Sequence, residues 1–149
     1  MRKPKLFFLL FVILLWLAVE NAYAFELVGT WKLISIERQN ANNQWVPDCH
    51  SPSGLLIYTS NGYMSAGVNC MKPNTNQPSF SKQDITFYMG TYSIKKDSVT
   101  HHVLNANSEN MYGKNLLRKI QIIDNNNINL TLKNKNNNLL RLKWKKISG

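Results

Sequence analysis

The chain has 149 residues, with 18 Lys and Arg against 8 Asp and Glu, giving a formal net charge of +10. That length holds one domain and excludes a two-domain enzyme. A basic chain suggests nucleic acid, but the export signal described next turns the expectation towards anionic lipid, glycan or a carboxylate ligand. No nucleic-acid partner is expected.

The first 24 residues read as a secretory signal peptide. Arg2, Lys3 and Lys5 form its basic start, Leu6 to Val19 is an unbroken apolar run, and Ala22-Tyr23-Ala24 is the small-x-small cleavage pattern. A retained anchor is the competing reading, yet the run falls short of the roughly 20 residues that cross a bilayer. Residues 25–149 are then one exported domain, periplasmic or secreted and acting as a monomer. From Lys114 onward nine Lys or Arg stand against Asp124 alone, either a solubilising surface or a patch for anionic lipid or glycan. Asn clusters at 125–127 and 136–138 read as turns, because Asn tolerates left-handed backbone.

The only cysteines are Cys49 and Cys70. An even count in an oxidising compartment reads as one disulfide, with two free thiols as the alternative. The local pattern supports the bridge. Gly54-Leu-Leu-Ile-Tyr-Thr59 and Tyr63-Met-Ser-Ala-Gly-Val68 flank Ser60-Asn61-Gly62, a hairpin signal. With Asn61-Gly62 as a two-residue turn, Ser60 pairs with Tyr63 and Ser53 falls opposite Cys70. Cys49 follows just upstream, past the bend that Pro52 and Gly54 permit. Such a bridge is worth about 3 kcal/mol in the chain-entropy view.

Strands recur from end to end, and no helical period appears. Residues 31–38, 54–59, 63–69, 91–95, 99–105, 115–123, 128–133 and 139–145 each read as a short strand. The last two alternate cleanly: Leu140, Leu142 and Trp144 oppose Arg141, Lys143 and Lys145, and Ile128, Leu130 and Leu132 oppose Asn129, Thr131 and Lys133. The fold class predicted is all-β, an eight-stranded antiparallel up-and-down barrel, wide enough for side chains or one small ligand.

Here a resemblance becomes specific. Leu27-Val-Gly-Thr-Trp-Lys-Leu33 resembles the Gly-x-Trp opening of lipocalins. The set Gly29-Thr-Trp31, Gly54 to Thr59, Asn61-Gly-Tyr-Met-Ser-Ala66, Gly90-Thr-Tyr92, Val99-Thr-His-His-Val103 and Leu142-Lys-Trp144 is similar to the bacterial and fungal lipocalin-like domain family. The resemblance implies a lipocalin-like barrel over nearly the whole exported chain. It departs in three places. Phe80 to Gly90 leaves little room for a helical insertion, Met111 stands where an aromatic residue is usual, and Lys145 and Lys146 follow Trp144, so no Arg is assigned to stack on Trp31.

Few residues could carry chemistry. In a hairpin around Lys96-Asp97, Tyr92 pairs with His101 and Ile94 with Val99, which places His101 inside and His102 outside. His101 reads as a hydrogen-bonded structural histidine beside Tyr92, with an acid/base role as the alternative. Arg118 shares a face with Leu116, Ile120 and Ile122 and should look inward. A buried guanidinium needs an anion, either Glu37, placed on the face of Trp31, Leu33 and Ser35, or a ligand carboxylate. His50, His101 and His102 lack zinc spacing, no nucleophile elbow or phosphate loop appears, and no metal or cofactor is expected.

The leading function is a non-enzymatic carrier for a small, mostly apolar ligand, acids and phenols included. Arg118, His101, Tyr92, Tyr58 and Glu37 are the candidate ligand-binding residues. One alternative is an isomerase or cyclase with His101 and Tyr58 or Tyr63 as proton donors. Another is a basic-surfaced interaction protein with a filled barrel, presenting Lys119, Lys133, Arg141, Lys143 and Lys145.

Overall fold

A computed structural model describes residues 27–71, 85–134 and 136–149. The signal peptide expected at residues 1–24 lies outside them. Nine strands follow in chain order: β1 (Gly29–Gln39), β2 (Trp45–Pro47), β3 (Ser51–Tyr58), β4 (Tyr63–Met71), β5 (Ile85–Lys95), β6 (Ser98–Ala106), β7 (Asn115–Asp124), β8 (Asn127–Lys133) and β9 (Leu139–Ser148). Each neighbour pair is antiparallel, and β1 pairs with β9 to close eight strands into a barrel. Closure removes the exposed sheet edges that an open meander would carry. The ninth strand, β2, was not predicted; it is a three-residue flap on the end of β1.

Alternation fills the interior. Trp31 and Leu33 of β1, Leu56 of β3, Met64 of β4, Val99 of β6 and Trp144 of β9 are all buried, with outward residues between them. Trp31 donates its indole N–H to the carbonyl of Leu27 at 2.9 Å, seating that buried leucine at one end of the barrel. Over the Trp31 ring lies the ammonium of Lys146, 5.4 Å from the centroid, where no Arg was assigned.

The turns account for the first corrections. The β3–β4 hairpin pairs Tyr58 with Met64, and Thr59 receives the chain again from Tyr63, so the loop is Ser60-Asn61-Gly62 rather than a two-residue turn. Gly62 sits at φ +86, the left-handed position a three-residue hairpin loop requires. Register moves by one: Pro52, not Ser53, stands opposite Cys70. The disulfide Cys49–Cys70 forms nonetheless, with Cα atoms 5.7 Å apart. Pro52 is tolerated because β3 pairs with β1 only from Leu55 onward, leaving no ladder bond on that side for its missing N–H. Asn43 and Asn137 take positive φ, as Asn-rich turns do.

The second correction is larger. β5 begins at Ile85, not Thr91, so a strand occupies much of the short stretch before Gly90-Thr-Tyr92. β6 bulges where β5 passes from Met89 to Gly90. A Cβ at Gly90 would collide with the carbonyl of His102, which is why glycine stands there. This longer β5 brings Tyr88 into the barrel.

Candidate functional site

Among the described residues, the inner wall carries one polar cluster around His101. His101 is 1% exposed, on the inward face of β6 with Val99 and Val103. The predicted pairings Tyr92–His101 and Ile94–Val99 are present, and His102 points outward to Ser93 and Asn115 at 2.8 and 2.7 Å. The hydrogen-bond partners of His101 differ from expectation. Its Nε2 lies 2.6 Å from the hydroxyl of Tyr58, the last residue of β3, and its Nδ1 lies 2.9 Å from the hydroxyl of Tyr88 on β5. Tyr92 instead donates to the carbonyl of Thr59 at 2.9 Å, and its ring meets Tyr58 edge-on, with centroids 4.8 Å apart.

Arg118 stands on the inward face of β7 beside Leu116, Ile120 and Ile122, half-buried and opposite Val99. One of its N–H groups donates to the carbonyl of Leu117 at 3.0 Å, and its charge acts on the hydroxyl of Tyr88. No carboxylate pairs with it among the described residues.

Glu37 is elsewhere. Between Leu33 and Ser35 the β1–β9 register shifts, so Leu33 opposes Trp144 but Ser35 opposes Lys143. The bulge turns the rest of β1 by one residue, putting Ile36 on the core with Leu142 and Glu37 beside Arg141. Arg141 donates to Glu37 through its Nε at 2.8 Å, and Lys143 binds the other carboxylate oxygen at 2.7 Å. The Arg141 guanidinium also stacks over the Trp45 ring, 4.3 Å from its centroid. Glu37 thus serves the outer wall and is no counter-ion for Arg118. Arg141 correspondingly belongs to this half-buried cluster, not to a free basic face.

Electrostatics separate the two clusters. Burial chiefly, with the charges of Arg118 and His102 behind it, lowers the His101 pKa to about 3, so the imidazole is neutral at physiological pH. Burial likewise raises Tyr58, Tyr88 and Tyr92 above the ordinary phenol range, with Arg118 partly opposing the shift at Tyr58 and Tyr88. The interior cluster is therefore three neutral phenols, a neutral imidazole and one fixed cation. For Glu37, burial pushes the pKa up, but hydrogen bonds from Lys143 and Arg141 outweigh it and hold the carboxyl below its usual value.

Other candidates fall outside the interior. Tyr63 is 55% exposed on the outer wall and His50 is exposed, so neither joins the cluster. Lys119 lies outside, 3.5 Å from Asp97. The outer wall of β3–β5 carries exposed Leu55, Ile57, Phe87 and Met89 around two shallow grooves. The residue that sequence reasoning missed is Tyr88. Its signal was the run Ile85-Thr-Phe-Tyr-Met-Gly90, rich in strand formers and unbroken by proline.

A family model described as a lipocalin-like domain matches residues 28–147. No curated protein matches. Among solved structures, a redesigned β-barrel is 12% identical with a TM-score of 0.47, covering 83% of this chain and 94% of its own. A de novo designed fluorescence-activating β-barrel is 7% identical with a TM-score of 0.44, covering 83% and 96%.

Proposed function

We propose that this chain, which belongs to the lipocalin-like domain family, is an exported carrier for a small, mostly apolar molecule bearing an acidic group. Apolar burial along the inner wall supplies most of the affinity, and a few polar groups fix orientation. Arg118 binds the acid, with Tyr92, His101 and Tyr58 deeper along the same wall.

The observation that supports this most is that no carboxylate among the described residues pairs with Arg118. An inward guanidinium keeps its charge and needs an anion or water. Glu37, the acidic residue that could have answered it from within, is held by Arg141 and Lys143. A ligand carboxylate answers it instead. A charge-assisted contact contributes about 1.5–3 kcal/mol, so Arg118→Met should weaken binding of dodecanoate by roughly 10- to 100-fold. Binding of dodecanol should be unchanged. Equal binding of both probes to both proteins, or none to the wild type, refutes the reading.

Export is part of the same proposal. The disulfide suits an oxidising compartment, and processing after Ala24 would start the exported protein at Phe25. N-terminal sequencing checks this; intact Met1 in a membrane fraction contradicts it.

A further inference from the structure

The groups at the centre of the barrel can be counted as donors and acceptors. Tyr58 and Tyr88 each place a hydroxyl on one nitrogen of His101, at 2.6 and 2.9 Å. All three residues are buried, Tyr88 being the most open at 6% exposed. A neutral imidazole carries one N–H and one nitrogen lone pair. Two phenols and one N–H bring three hydrogens to the chain, and its two hydrogen bonds use two. One phenol hydrogen has no acceptor within this trio.

Two observations say which phenol keeps it. A 2.6 Å separation suits a hydroxyl donor, and 2.9 Å suits an N–H donor. Tyr58 then donates to Nε2, and the Nδ1–H donates to the oxygen of Tyr88. Arg118 stands two residues along β7 from Leu116, the partner of His101, on the same inward face, and its charge acts on the Tyr88 hydroxyl. The hydrogen of Tyr88 is left to point away from His101, beside the guanidinium. A buried donor without an acceptor costs stability, and a ligand that accepts from it recovers that cost.

We propose that Tyr88 is the second donor of a two-point clamp, in which a carboxylate takes one hydrogen bond from Arg118 and one from the Tyr88 hydroxyl. The clamp rests on the carrier reading above and narrows it. It selects a ligand with two acceptor oxygens on one carbon and an apolar tail, an alkanoic or aromatic acid, over a neutral alcohol of equal length. Tyr88 positions the ligand and carries out no chemistry, and His101 sets the direction of the Tyr88 hydroxyl.

Titration calorimetry with dodecanoate and dodecanol tests the clamp on wild type, Tyr88→Phe and Arg118→Met. Tyr88→Phe should lose roughly tenfold in dodecanoate affinity, with dodecanol affected less than about twofold. If Tyr88→Phe binds dodecanoate like wild type while Arg118→Met loses it, the clamp fails and the carrier reading stands. A wild type that binds neither probe removes the carrier reading and the clamp with it. Nitrogen NMR of the wild-type His101 ring gives a check that needs no variant to fold. The clamp requires the proton on Nδ1; a proton on Nε2 would mean that Tyr88 donates inward, which overturns it.

Discussion

Arg118 and Arg141 face opposite sides of the same stretch of barrel wall, with only β8 between their strands, and the difference between them is what each was given to hold. Arg141 has a resident carboxylate, a neighbouring lysine sharing that carboxylate, and an indole beneath its plane. Its charge is spent inside the protein. Arg118 has a backbone carbonyl to bond and a neutral phenol nearby. A guanidinium so placed is not satisfied by the fold alone, and such a residue is where a ligand is expected. On the carrier reading, the satisfied cluster works for stability and the unsatisfied one for binding.

Acid should break the two clusters at different pH, and this is the largest effect. His101 has a folded-state pKa of about 3 against an unfolded value of 6.5. The unfolded chain binds the proton more readily, so the stability is complete above pH 6.5 and lost as pH falls towards 3. One pKa unit is about 1.4 kcal/mol, which makes the loss about 2 kcal/mol already at pH 5. Glu37 behaves differently in range. Its carboxyl is held below the usual 4.5, so its contribution is present above that value and lost only as pH falls beneath it. Urea unfolding between pH 7 and 5 should therefore show a slope that His101→Gln removes and Glu37→Gln leaves. A slope that survives His101→Gln would place the acid sensitivity elsewhere.

How legible the two clusters were follows the same division. Inward placement of His101 and Arg118 came from period-two alternation, which the barrel obeys wherever the ladder is regular. Alternation failed at the β1 bulge. One extra residue between Leu33 and Ser35 reverses the face of Glu37, and a bulge leaves no mark in composition. Tyr88 was missed for another reason. Starting the strand at Thr91 hid the six residues Ile85 to Gly90 that extend it. The disulfide was legible despite a register error, because a one-residue slip still leaves Cys49 near the end of β4.

Exchanging the stabilising roles gives the next largest effect. Glu37→Gln leaves Arg141 and Lys143 without their anion while both are partly shielded, their side chains 19% and 40% exposed. A cost of about 1–3 kcal/mol is expected, read as a lower urea midpoint. Arg118→Met should change stability by less than about 0.5 kcal/mol, because a methionine fills the same inward space without an unpaired charge. The binding assay must show the reverse order: dodecanoate lost by Arg118→Met and kept by Glu37→Gln. If Arg118→Met costs as much stability as Glu37→Gln, the interior arginine is structural and the contrast collapses.

The smallest effect tests whether the outer cluster is a unit. Trp45 lies on the three-residue strand β2, opposite Gln39, and its ring centroid lies 4.3 Å from the Arg141 guanidinium carbon. A cation over an exposed or half-exposed indole is worth about 0.5–1 kcal/mol. Trp45→Leu keeps an apolar strand residue and removes the ring face, so the loss should stay in that range. The stronger statement is about coupling. With Glu37 present, Arg141 is fixed in one orientation and the indole gains its full contact; with Glu37→Gln, the guanidinium is free to turn to solvent. In a double-mutant cycle the two losses should therefore fall short of additive by a few tenths of a kcal/mol. Strict additivity would mean that Trp45 packs on β1 independently of Arg141. Dodecanoate affinity should not move in either single variant, since neither side chain reaches the inner wall.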